Sequence, residues 1–426
     1  MSIPAENAPK HVHPALFGLL VMPFGLAVGY GTVAVPFILR NRGLEMGTIA
    51  TISALALGPH AWKFLWAPAL DAGWRRRSWY LGCIAVAAAA LAGTTFIDPD
   101  PNARIGPLAA ITLYAIVLGI AQAAVATSSA ALDALMAITL PDDKKGAASG
   151  WYNAGNLGGT GVGGALALYF AQNLAPLTTA LLLAGFCVAC GLPALLIHED
   201  RPEKHPLGRA FLNLLKDLWV TIKSREGWTG LVICLSPVGT GAATQLFSAI
   251  ARDYGAGERH VEVVNGILGG LIGAVGCLVG GYLADRMNRR LCYVLAGAFT
   301  ALCAVVMALA PLTPAGFTVG CLTYSFANGI AYAVFTAFVL EMIGHGPGVT
   351  TKYALFVSCS NQAISYVTWL DGKGYEWGKG QSFGGRVGLL GTEVLVTMIG
   401  ISVLGMMFLY LRRTDRRGVE AAAKPA

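Results

Sequence analysis

The sequence predicts an all-α membrane protein: twelve transmembrane helices in two six-helix bundles. Three observations predict it. Of 426 residues, 55% are hydrophobic and only 12% charged, with a mean hydropathy of +0.60. Soluble domains carry about 25% charged residues, so a chain of several soluble domains is excluded. The apolar residues fall into twelve long runs, and one hydrophilic stretch, residues 198–227, divides them six and six.

A helix needs ~20 apolar residues to cross the hydrocarbon core, and lipid cannot satisfy the backbone of an open strand. The runs are 15–39, 47–70, 79–97, 106–139, 147–170, 175–197, 228–250, 262–283, 291–310, 315–342, 351–370 and 387–411. The first bundle is read as 1–197, the linker as 198–227, and the second bundle with its basic tail as 228–426. Within the linker, Leu207, Phe211, Leu214, Leu215, Leu218 and Trp219 recur at helical spacing, so 207–223 is expected to lie on the inner membrane surface as an amphipathic helix. With the N-terminus inside, 21 Lys and Arg fall on cytoplasmic segments and 8 on the opposite side, which sets both termini in the cytoplasm. The polar N-terminus MSIPAENAPKHVHP lacks the short apolar region of a cleaved signal peptide. Nine cysteines lie nearly all in apolar runs and read as buried thiols, and Cys187-x-x-Cys190 has no second pair to complete a zinc site.

The halves echo each other. Asp71 precedes Arg75, Arg76 and Arg77 after the second run, and Asp285 precedes Arg286, Arg289 and Arg290 after the eighth. Asp133 precedes Pro141 near the end of the fourth run, and Glu341 precedes Pro347 near the end of the tenth. Matching polar positions at about half the chain length suggest a duplicated six-helix unit, the plan of a two-bundle secondary transporter. The acid-then-basic loops resemble in position and chemistry the signature loop of the major facilitators, a resemblance that implies a conformational latch between bundles. The plainer reading is that their arginines only obey the inside-positive bias.

Charges inside a membrane are costly and are usually paired or functional. Lys63 and Asp133 lie at similar depth, so they either pair or face the inner mouth separately, with Lys63 snorkelling. Asp133, Glu341 and Lys63 are the proton-coupling candidates; helix capping at the inner mouth is the competing role for the acids. Candidate substrate contacts are Tyr30, Gln122, Asn153, Asn156, Gln245, Asn328, Tyr332, Asn361 and Gln362, whose amides and phenols suit a polyhydroxylated or peptidic ligand, although each alone also suits an interhelical hydrogen bond. GTGVGG at 159–164 matches a dinucleotide-binding spacing, but it lies inside an apolar run, where glycines serve close helix packing. No Walker A, HExxH or GxSxG sequence occurs, so an ATP-driven pump is set aside and no enzyme activity, cofactor or metal is expected.

WKFLWAPALDAGWRRRSWYL (62–81) resembles the second-span signature of the AmpG-type permeases, a branch of the major facilitator superfamily that includes the acetyl-CoA transporters. TSSAALDALMAITLPDDKKGAASGWYNAGNLGG (127–159) is similar to that branch's fourth-to-fifth span stretch. The resemblance implies the major facilitator fold and proton-coupled import of anhydro-muropeptide across the bacterial inner membrane. It marks Lys63, Asp71 and Asp133 as family-type polar residues. Residues 368–386 match no muropeptide-permease pattern, and siderophore importers of the same branch share the size and the twelve spans. An exporter or a non-transporting sensor on the same fold are the further alternatives. The expected partners are a small-molecule substrate, protons and the lipid bilayer, with no nucleic acid; the chain is read as a monomer.

Overall fold

The computed structural model describes residues 12–42, 52, 58–60, 62–71, 74–98, 107–199, 216, 219, 223–343 and 349–422. Among these residues there is no β-strand. The helices follow the twelve runs: α1 over 15–41, α2 over 58–60 and 62–71, α3 Arg76–Thr94, α4 Pro107–Thr139, α5 Lys145–Asn173 and α6 Pro176–Gly191, then α7 Arg225–Leu235, α8 over 258–286, α9 Arg289–Leu309, α10 Pro314–Ile343, α11 Val349–Lys379 and α12 Gly385–Ala422. Among the described residues, seven helices are long and apolar enough by length and composition alone to cross a membrane.

The breaks have local causes. In α2, Lys63–Leu65 is a 3-10 turn, and Pro68, which lacks an N–H, falls in the first turn of the following segment Ala67–Asp71, where that loss costs least. The α1 backbone widens to a π-helix over Tyr30–Ala34, and α8 does so over Glu262–Leu268. The seventh run was expected as one helix. Instead it stops at Leu235, and Gly239 and Gly241 take φ of 65° before a 3-10 segment, Ala242–Leu246. Only glycine enters that region without strain, and a Cβ at Gly241 would also strike the Asn328 side chain. The linker helix expected at 207–223 lies mostly outside the described residues; Trp219 is exposed, with Lys223 Nζ 4.6 Å over its ring. All nine cysteines are free thiols.

Helix α5 is the hub of the packing. Its Gly155, Gly159 and Gly163 face α1, and its Gly146, Gly150, Ala154, Gly158 and Gly161 face α8. Stepping from residue 150 to 155 turns roughly 140° around a helix, so one sequence carries two small-residue faces. The approach is close. A Cβ on Gly25 of α1 would lie 2.9 Å from Gly159 Cα, and one on Gly150 would lie 3.1 Å from Gly281 Cα of α8. Helix α8 in turn lays Gly276 and Gly280 on the α10 backbone at Phe326 and Ile330. Without a hydrophobic driving force between helices in lipid, this backbone contact is what dispersion and small residues supply. Gly25→Val is therefore expected to cost about 1–3 kcal/mol by overpacking, read as a lower melting temperature of the purified protein in detergent.

Candidate functional site at the bundle interface

The first-half helix α5 and the second-half helices α8 and α10 meet along a polar seam at the end of the molecule that carries the basic loops. The N-terminus of α5 has no side-chain cap of its own. Asp285, at the end of α8, supplies it: Oδ1 accepts from Gly146 N at 2.7 Å and Oδ2 from Ala147 N at 2.6 Å. A carboxylate on two free N–H groups at the positive end of a helix dipole is a strong arrangement. Gly146 makes it possible, since a Cβ there would collide with that carboxylate.

Arg289 closes the same corner. It lies 3.6 Å from Asp285, pairs with Glu341 of α10 at 2.8 Å, and donates to the Asp142 carbonyl at 2.5 Å. Lys145 is fully buried between an ion pair to Asp142 (2.7 Å) and the Leu340 carbonyl of α10 (3.2 Å). One turn deeper, Ser149 donates to the Ala333 carbonyl, and Asn153 Nδ2 donates to Thr336 Oγ1 at 2.9 Å. Ala154, Cys277 and Ala333 form a small apolar plug beneath. Among the described residues, six side chains thus reach across the seam at the basic end.

Of the other latch residues, Arg76 and Arg77 serve the first half. Their backbone N–H groups donate to Glu199 at 3.0 and 2.9 Å, and Arg77 Nη1 donates to the Leu195 and Ile197 carbonyls. Arg75 is the half-buried residue preceding α3. Arg286 stacks over Tyr282 and Arg290 over Phe408, both away from the seam. The Asp71 backbone ends α2, and its side chain lies outside the described residues.

Lys63 and Asp133 meet. Lys63 Nζ lies 3.7 Å from Asp133 Oδ2 and donates to Ser129 Oγ at 3.2 Å, and the two side chains are 7% and 2% exposed. Asp133 Oδ1 has no donor among the described residues. Tyr152 of α5 and Tyr353 of α11 lie within electrostatic reach of the carboxylate, and Tyr353 hydrogen-bonds Thr336. Thr336 is also the acceptor for Asn153. The buried charge pair and the seam therefore share neighbours. Glu341, read from the sequence as the second-half equivalent of Asp133, instead sits half-exposed at the rim of the seam on Arg289.

The substrate-contact candidates separate into two groups. Gln122 is committed to the Ala27 carbonyl at 2.7 Å and to His60 at 2.9 Å. Tyr30 turns into the first bundle toward Thr94 (3.0 Å) and Tyr114 (3.3 Å), where these three line a pocket of 330 Å³ with the exposed Arg42–Asp98 pair. Asn153 belongs to the seam. Asn328 is buried against Gly241, and Tyr332 donates to the Thr240 carbonyl at 3.4 Å, so both brace the break after α7. Asn156 and Asn361 are half-buried, and Gln245 and Gln362 are exposed; these four keep side-chain polar groups available.

A sequence model of the Major Facilitator Superfamily matches residues 15–366. The chain belongs to that superfamily. It is a multi-pass membrane transporter rather than an enzyme. The resemblance carried by residues 62–81 and 127–159 is borne out: the anhydromuropeptide permease of Escherichia coli (strain K12) is 26% identical over 362 residues, covering 82% of this chain and 68% of that protein. Two solved structures share the fold. The transporter FucP in the outward conformation superposes with a TM-score of 0.66 at 14% identity, covering 92% of this chain and 98% of FucP. The proton:xylose symporter XylE bound to 6-bromo-6-deoxy-D-glucose gives 0.65 at 14% identity, covering 90% and 94%.

Within this facilitator, sequence reasoning missed Lys145, Ser149, Thr336 and Glu199. Lys145 precedes and Ser149 lies within the small-residue stretch 146–150, and both reach carbonyls of α10. Glu199 stood among linker charges and gave no signal.

Proposed function

We propose that this major facilitator imports a polar sugar-peptide of the anhydro-muropeptide class across the bacterial inner membrane, driven by protons, in an alternating-access cycle. The observation that carries the reading is the buried Lys63–Asp133 pair, 3.7 Å apart, sharing Tyr353 and Thr336 with the sealed seam. In this reading the basic end faces the cytoplasm, both termini lie there, and the bundles are 1–197 and 228–426 joined by 198–227. The conformation described is then closed to the cytoplasm.

A proton reaching Asp133 neutralises the carboxylate and releases Lys63. Tyr152 and Tyr353, which face that carboxylate, lose their charged neighbour, and the Asn153–Thr336 bond beside them weakens. Arg289 shifts off Glu341 and Asp285, and the α5 N-terminus leaves its cap. The bundles then rock, and cargo and proton leave on the basic side. Asp71, which precedes Arg75, Arg76 and Arg77 as Asp285 precedes Arg286, Arg289 and Arg290, plays the matching latch part in the first half. Asn156, Gln245, Asn361 and Gln362 supply amide contacts to the cargo, while Tyr30, Gln122, Asn153, Asn328 and Tyr332 hold the walls in place. Each translocated charge gains ~2.3 kcal/mol per 100 mV of membrane potential. The protein works as a monomer.

The test is uptake into proteoliposomes under an imposed inward proton gradient. Labelled anhydro-muropeptide is expected to accumulate, and Asp133→Asn to abolish the accumulation. Uptake of a hydroxamate siderophore in its place would move the cargo to the siderophore class. Absence of uptake of either cargo by folded protein would overturn the importer reading in favour of export or sensing.

A further inference from the structure

Helices α11 and α12 form a hairpin at the end opposite the seam. Gly374, Gly378 and Gly388 bring the two backbones together; a Cβ on Gly378 would lie 2.9 Å from Gly388 Cα. Asp371 lies eight residues before the end of α11 and Glu393 eight residues after the start of α12, so both sit ~12 Å below the turn at 1.5 Å per residue. They are 0% and 1% exposed. Their carboxyl groups are within hydrogen-bond reach of each other.

The surroundings supply one donor. Tyr324 of α10 donates to Glu393 Oε1 at 2.7 Å. Both oxygens of Asp371 and Oε2 of Glu393 have no donor among the described residues. Among the described residues no cation answers them either. Lys373 turns outward to Glu376 at 2.8 Å, and Arg386 donates to the Ala308 carbonyl at 2.8 Å and lies over the Tyr254 ring. Among the described residues the remaining titratable group facing the pair is Tyr332 of α10, two turns from Tyr324 and engaged with the Thr240 carbonyl. Two buried carboxylates in contact cannot both keep their charge, and three orphaned acceptor oxygens are costly without a donor.

We propose that Asp371 and Glu393 hold one proton between them, a proton-binding site in the second bundle separate from the Lys63–Asp133 pair. The proton gives one carboxyl an O–H that donates to the other, and leaves a single charge that Tyr324 also satisfies. The helices that carry the site also carry the seam. α10 runs from Tyr324 to Ala333, Thr336 and Glu341, and α11 from Asp371 to Tyr353. Loss of the proton leaves like charges between α11 and α12 and drives the hairpin apart. The part this plays in coupling rests on the import cycle proposed above; the proton itself does not.

Infrared difference spectroscopy of the full-length protein in lipid at neutral pH tests it. The wild type minus Asp371→Asn, and the wild type minus Glu393→Gln, are each expected to show the C=O stretch of one protonated carboxylic acid. Asp133→Asn is expected to leave that band in place. Tyr324→Phe, which keeps both carboxyls, should shift the band without removing it, and so guards against misfolded variants. A spectrum in which neither substitution at 371 or 393 removes a carboxylic-acid band would overturn the proposal, as would displacement of the band by sodium, which would make the pair a metal-cation site. A band that is present in a protein showing no proton-driven uptake would leave this site standing and remove the import cycle.

Discussion

Asp285→Ala is expected to unseal the basic end. The substitution removes two charge-assisted hydrogen bonds to the α5 N-terminus, each contributing roughly 1.5–3 kcal/mol, and leaves Arg289 with Glu341 and the Asp142 and Ala284 carbonyls. A shift of about 3 kcal/mol in the balance between sealed and open seams corresponds to on the order of 10²-fold in population. Cys277 is a native reporter. It is buried at the seam against Ala154 and Ala333, and its carbonyl faces Gly150. Its reaction with a membrane-permeant maleimide, mapped by mass spectrometry, should accelerate on the order of 10²-fold in Asp285→Ala, and by less in Asp285→Asn, which keeps one acceptor oxygen. An unchanged Cys277 rate with intact folding would show that Asp285 does not hold the seam.

The second large effect lies at the buried charge pair. Removing one member of a buried ion pair leaves an uncompensated charge and costs about 3–5 kcal/mol, whereas replacing both with apolar residues of similar size is often close to neutral. Lys63→Met and Asp133→Leu should each lower the melting temperature strongly, and Lys63→Met/Asp133→Leu should recover most of the loss. Proton-driven uptake should be absent from all three. Recovery of stability without recovery of uptake separates a coupling role from a structural one. Additive destabilisation in the double variant would mean that the two residues do not interact, at variance with their 3.7 Å approach.

The architecture was legible because lipid enforces it. Run length follows from the thickness of hydrocarbon that a helix must cross. The glycine runs of α5 also read correctly as packing, since their spacing places two small faces on one helix. What was not legible depended on helix ends and on tertiary neighbours. The eleventh run was ended at 370, and the helix continues to Lys379. That error put Asp371 in a loop by a single residue and hid its partnership with Glu393, which lies inside the twelfth run and was passed over. Equal spacing of the two acids from the hairpin turn was the available signal. The sequence matches Glu341 with Asp133 as a proton-coupling candidate, with capping at the inner mouth as the competing role; its place at the rim is set by Arg289, a residue of another helix. The break after α7 was hidden because Gly239 and Gly241 look like packing glycines until their backbone angles are known.

The most direct test of the central claim is a distance measurement across the seam. Spin labels at Asp143 and Met287, both exposed on opposite sides of it, would be read by double electron–electron resonance in a cysteine-light background in lipid. Without cargo or gradient the account predicts one short, narrow distance distribution. Addition of anhydro-muropeptide with an inward proton gradient should create a second, longer population, and Asp285→Ala should create it without either. A distribution that stays short and single while cargo is being taken up would contradict the account.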